Sequence, residues 1–129
     1  MKTLEHTEQV NLIKWWALAC HKWSLDERLL FAIPNGGERN VIVASRLKAE
    51  GVRSGVPDLF LACGHSCYHG LFIEMKKPKG GRVSDNQKSF IELLKDQGYA
   101  TAVCHGWSEA RQAIESYLSD NAIAHTPGT

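Results

Sequence analysis

Net charge is nearly absent from this chain. Fifteen Lys and Arg against fourteen Asp and Glu leave +1 at pH 7, too little for a global basic field that would attract nucleic acid. A polyanionic partner would have to be met by local basic clusters. Long apolar runs are also missing. None approaches the ~20 residues of a membrane span, and the opening MKTLEHTEQ does not read as a secretory signal. These absences predict a cytoplasmic protein with no membrane partner. Cysteine is sparse, at four residues, and the usual C-x2-C metal pairs do not occur. In a reducing compartment the four read as thiols or metal ligands rather than disulfides. No G-x-S-x-G appears, which argues against acyl-transfer hydrolysis. Neither Gly-Gly pair leads into Gly-Lys-Ser/Thr, so there is no P-loop. Repeats, linkers and low-complexity segments are lacking as well. The 129 residues therefore predict a single domain over residues 1–118 and a fraying tail over 119–129.

What is present is an alternation of helical and strand patterns. Val10, Ile13, Ala17 and Cys20 recur at helical spacing between Leu4 and Lys22, with Trp15, Trp16 and Trp23 widening the apolar surface. LLFAIP (Leu29–Pro34) reads as a strand ended by proline, and NGGE as a turn. Arg39–Glu50 reads as a helix with Val41, Ala44 and Leu47 inward. Asp58–Cys63 and Leu71–Lys76 read as strands joined by a hairpin. Ser84 is an expected N-cap for a helix that buries Phe90, Leu93 and Leu94 and stops at Gly98. YATAVC is a further strand, and Ser108 an expected cap for a last helix to Leu118. This order predicts an α/β (α+β) fold, a mixed central sheet flanked by helices.

Charges interrupt the two central strands. Glu74 and Lys76 are two residues apart, so both side chains leave one face while Ile73 and Met75 occupy the other. Asp58 opens the neighbouring strand, where its carboxylate can approach Glu74. Two buried carboxylates repel unless something neutralises them. One answer is a salt bridge with Lys76 on a solvated face. The other is a divalent cation such as Mg²⁺, held by the two carboxylates and the Met75 carbonyl and completed by water and a substrate phosphate. Lys76 would then stand beside the attacking water or the phosphate.

Fifteen residues separate Asp58 from Glu74, and the string GVRSGVPDLFL…LFIEMKKPKGGRVSDNQ resembles the VRR-NUC family of the PD-(D/E)xK nuclease superfamily. IPNGGERN also resembles a family motif, and the resemblance makes its Asn35 an expected DNA contact. The resemblance spans roughly Glu5 to Leu118. It implies the restriction-endonuclease-like core, with Asp58, Glu74 and the Met75 carbonyl on Mg²⁺ or Mn²⁺ and Lys76 as the catalytic lysine. It implies an acidic residue on the first helix near the metal, often acting through water. Glu5 and Glu8 both qualify, and Glu8, nearer the apolar run, is favoured here. It also implies that Gln87 hydrogen-bonds near Lys76 or the scissile phosphate.

The implied activity is a phage-type, metal-dependent DNA endonuclease resembling Holliday-junction resolvases in recombination or repair; a DNA-binding module that keeps the fold without catalysis is the alternative. Lys77, Lys79 and Arg82, with Lys88, form one basic group, and Arg39 and Arg53, with Arg46 and Lys48, a second. Two local clusters suit a DNA-facing side that grips phosphates. A four-way junction has two symmetric scissile strands, which predicts a C2 homodimer. The surplus tryptophans of the first helix are the expected interface anchors. In the loop CGHSCYH, Cys63, His65, Cys67 and His69 could hold zinc, but a hairpin with plain thiols is the expectation. His6, His21, His105 and His125 have no evident partners in the sequence and read mostly as surface residues.

Overall fold

The computed structural model describes residues 2–34 and 41–119. Helix α1 (Lys2–Ala19) runs into short 3-10 turns at Cys20–Trp23 and Glu27–Leu29. Strand β1 (Leu30–Ala32), helix α2 (Val41–Ala49), strands β2 (Leu59–Leu61) and β3 (Leu71–Lys76), helix α3 (Asp85–Asp96), strand β4 (Ala100–His105) and helix α4 (Trp107–Leu118) follow. The sheet has the order β1-β2-β3-β4. β1 and β3 are each antiparallel to β2, whereas β4 is parallel to β3. The parallel pair needs a crossover, and α3 supplies it. The expected mixed sheet with flanking helices is therefore the observed fold. Asn35, Arg39, the NGGE turn and the tail from Asp120 lie outside the described residues.

One sheet face is apolar and packs on α1 and α4. Leu59, Leu61, Leu71, Ile73, Met75 and Cys104 meet Leu12, Trp16, Ala110 and Ile114 in a closed core. Truncating a wholly buried member such as Leu59 to Ala would cost about 2–5 kcal/mol. The buried stripe of α1 is Leu12–Trp16–Cys20: Cys20 is buried as expected, but Leu12 and Trp16 take the places expected for Ile13 and Ala17, and Ile13 lies at the surface. The indoles decide this register. Trp16 donates its Nε1–H to the Glu27 carbonyl at 2.9 Å and stacks on Trp23 at 6.0 Å, and Trp15 packs against both. Since a buried Trp needs both its area and its N–H satisfied, it outcompetes Ile for the inward position. The tryptophans expected to anchor a dimer are thus engaged within the protomer.

Other expectations shift in the same way. On α3 the buried residue is Ile91, and Leu93 is 59% exposed. On α2 nothing is buried: Val41 and Ala44 are exposed, while Val43 and Leu47 are half-buried. Ser108 does not cap α4. That position is taken by Gly106 at φ 95°, and the exposed helix N–H is met by a side chain from α1, described below.

The other sheet face carries Phe72, Glu74 and Lys76 from β3 and Phe60 from β2. Phe60 and Phe72 stack at 4.3 Å. Helix α3 covers the Glu74 end of this face through Gln87.

Candidate active site

Asp58 lies just before β2, and its partner is the main chain of β3. Its Oδ2 accepts the Met75 N–H at 2.7 Å. A residue's N–H and C=O leave the same edge of a strand, so the Met75 carbonyl faces Asp58 too. Glu74, one residue earlier, is the one buried acid among the described residues, at 3% exposure. Lys76 stands two residues on, its Nζ 3.3 Å from Glu74 Oε2. The period of the strand thus lines both side chains on one face.

Gln87 closes the group, and helix chemistry orients it. Ser84 caps α3 with its hydroxyl, which accepts the Gln87 N–H at 3.1 Å, and Gln87 Oε1 accepts the Ser84 N–H at 3.0 Å. This capping box aims the amide oxygen at Ser84. The same oxygen accepts from Lys76 Nζ at 2.9 Å. The amide NH₂ is left to face Glu74 and donates to Oε2 at 2.9 Å. Every polar atom of the amide therefore has one consistent assignment.

Burial dominates the electrostatics. It raises Asp58 above the ordinary carboxylate range, partly opposed by the Met75 N–H. It pushes Glu74 up to about 7, with the Asp58 charge as the second cause; Lys76 opposes both but does not cancel them. A single lysine leaves this pair under-neutralised.

Beside Asp58 a cleft of about 190 Å³ is lined by Glu5, His6, Gln9, Asp58 and Met75. Of the two candidate acids on α1, Glu5 lines the cleft and its charge reaches Asp58. Glu8 is turned away. Its Oε1 accepts the Trp107 N–H at 2.7 Å. The helix N-terminus attracts a carboxylate, and an acid three residues from Glu5 on α1 is the one that reaches it. Nearness to the apolar run, the basis for favouring Glu8, has no bearing on which acid faces Asp58.

Among the described residues no three His, Cys, Asp or Glu side chains converge on one point. Two carboxylates plus a main-chain carbonyl, with space for water, are the donor set of a hard oxygen-loving cation. Glu5, across the cleft from Asp58, is the acid of α1 that could reach such a cation through water. The same absence bears on Cys63, His65, Cys67 and His69. Cys63 donates to the Gly64 carbonyl, His69 packs on the Tyr99 ring, and all four cysteines are free thiols.

These features together form the Asp, Glu-x-Lys and Gln arrangement that the sequence resembles. The VRR-NUC domain profile matches residues 2–108. The chain belongs to the VRR-NUC family. A solved structure described as a VRR_NUC domain protein is similar over 88% of this chain and 87% of its own, with TM-score 0.74 and 26% sequence identity. No curated protein matches. Nuclease chemistry is the activity type of VRR-NUC domains, and DNA the substrate it implies.

Around this VRR-NUC site lie the basic residues. Lys79, Arg82, Lys88 and Arg53 are exposed, and Lys77 is half-buried. Asn86 donates to the Ser54 hydroxyl at 2.5 Å, which ties the Arg53 turn to the start of α3. Two basic groups that are distant in sequence thereby border the same helix end. Gly81 has a role that the sequence did not suggest. A Cβ there would stand 2.8 Å from the Lys76 Cβ, so the basic loop crosses directly over the stem of the catalytic-lysine candidate. Glu5, His6 and Gln9 belong to the cleft only because α1 crosses the sheet at that height. Glu5 was one of the two acids the sequence offered; its E-x-x-x-Q spacing, one helical turn, was the signal that could have found Gln9 beside it.

Proposed function

We propose that this chain is a Mg²⁺- or Mn²⁺-dependent DNA endonuclease that hydrolyses phosphodiester bonds, with a branched or four-way junction as its preferred substrate. One observation carries the reading. Asp58 and Glu74 are held together with raised pKa values on a sheet face where Lys76 and Gln87 are locked in register. Such an under-neutralised carboxylate pair favours a cation. Asp58, Glu74 and the Met75 carbonyl would hold it, with Glu5 acting through water. When bound, the ion lowers the pKa of water and offsets charge on the phosphate.

The chain's own residues do the rest. Lys76 Nζ, oriented by Gln87 Oε1, is in place to donate to the attacking water or a phosphate oxygen. Gln87 keeps the Glu74 carboxylate from rotating. Lys77, Lys79, Arg82 and Arg53 grip flanking phosphates without reading sequence.

Cutting both strands of a junction symmetrically requires two sites, so the proposal includes a C2 dimer. With Trp15, Trp16 and Trp23 packed together, its contact would fall on exposed apolar residues that share one side of α1, Leu4 and Leu18. The test is cleavage of labelled four-way junction, duplex and single strand, with and without Mg²⁺, beside Asp58→Asn. Metal-dependent cutting that the variant lacks supports the nuclease. Preference for duplex or single strand overturns the junction assignment, and no cutting with any divalent ion overturns the enzyme.

A further inference from the structure

β4 runs parallel to β3 with Lys76 opposite His105. Side chains of aligned residues in neighbouring strands leave the sheet on the same side. On β4 this alternation is visible: Cys104 is buried in the core, whereas Val103 is exposed and His105 half-buried on the opposite side. His105 therefore shares the face of Glu74 and Lys76, one strand spacing of ~4.8 Å from the lysine backbone.

The residue is held at two points. Its backbone N–H donates to Glu109 Oε1 at 2.8 Å, and its Nδ1 lies 3.2 Å from the Lys77 carbonyl oxygen. Because a carbonyl only accepts, Nδ1 must carry the proton. Among the described residues Nε2 has no protein partner. The imidazole is thus fixed beside Lys76 with one nitrogen uncommitted, at the start of the basic loop 77–83.

We propose that His105 is a DNA-contacting residue whose Nε2 binds the phosphate next to the scissile one. This rests on the nuclease reading given above. Successive phosphates follow every ~3.4 Å of rise along a strand, so a group one strand spacing from Lys76 is in reach of a neighbour. To donate to a phosphate oxygen, Nε2 must carry a proton beside the one on Nδ1. The charged groups nearest in the fold are Lys76 and Lys77 at the end of β3, Glu109 on α4, and Glu8 of α1 beyond Gly106. A merely structural role would need only Nδ1, to hold the Lys77 carbonyl.

Two substitutions separate these roles. The amide of Asn reaches about as far as Nδ1, and that of Gln about as far as Nε2. The full chain is titrated against labelled four-way junction in EDTA at several salt concentrations. His105→Asn is expected to bind about tenfold more weakly, with the salt slope reduced by about 0.9 for one lost phosphate contact. His105→Gln is expected to recover most of the affinity but not the slope, since its amide can donate to the phosphate without carrying charge. The proposal fails if Asn binds like wild type, or if Gln binds no better than Asn. If wild type itself binds no DNA, the nuclease reading falls, and this inference with it.

Discussion

Glu8 Oε1 accepts the backbone N–H of Trp107 at 2.7 Å, across 99 residues of sequence. That contact attaches the middle of α1 to the start of α4, immediately after the strand that carries His105. It predicts a division of labour between the two acids of α1. Glu8→Ala should lower stability by about 0.5–2 kcal/mol, as loss of a helix cap does, and leave cleavage near normal below the melting transition. Glu5→Gln should leave the melting temperature within about a degree or two and cut the rate about 10–100-fold, the usual cost of an indirect metal partner. Thermal melts and initial rates on the two variants check this. A full-rate Glu5→Gln enzyme would remove Glu5 from the site.

Asp58→Asn and Glu74→Gln should each abolish cleavage, by at least ~10²-fold, since each removes a charge that would hold the ion. Neither should unfold the metal-free protein, and each relieves a repulsion.

The pH dependence of stability follows from Glu74. Its folded pKa, about 7, lies above the ordinary 4.5. The folded chain therefore binds more protons than the unfolded chain between those values. The resulting stability is complete at low pH and is lost as pH rises through about 7. Urea melts in EDTA at pH 5 and pH 8 should show the wild type weaker at pH 8, with the difference much reduced in Glu74→Gln. Mg²⁺ should restore stability at pH 8, where Glu74 is already mostly ionised, and should release protons when it binds at pH 5 to 6. A metal-free protein equally stable at both pH values would mean that Glu74 is not held protonated.

Gln87→Ala should lower the rate about 10–100-fold with little change in DNA affinity, since Gln87 touches Lys76 and Glu74 rather than the basic rim. Gln87→Glu should be worse, because it adds a third acid beside two that already repel. Rates measured at saturating DNA separate this from a binding defect.

Gly81→Ala should slow cleavage although it changes no polar group, because the new methyl would press on the stem of Lys76. If Gly81→Ala is as fast as wild type, the loop gives way and Lys76 is not constrained from that side.

The fold class and the core of the site were legible along the chain because they rest on local rules. Alternation in LFIEMK places Glu74 and Lys76 on one face whatever surrounds them. S-x-x-Q before an apolar pattern spells a capping box, and that box alone orients the Gln87 amide. Tertiary structure decided the rest. Which of Glu5 and Glu8 faces the cleft depends on where α1 crosses the sheet, and Trp16 sets that register by burying its ring and satisfying its N–H. Ser108 is a good cap by local rules but was displaced by a carboxylate from the other end of the chain. His105 looked unremarkable because its neighbour Lys76 is brought beside it only by the parallel crossover through α3. Contacts between distant segments are settled by the packing of whole faces, which no local window of sequence contains.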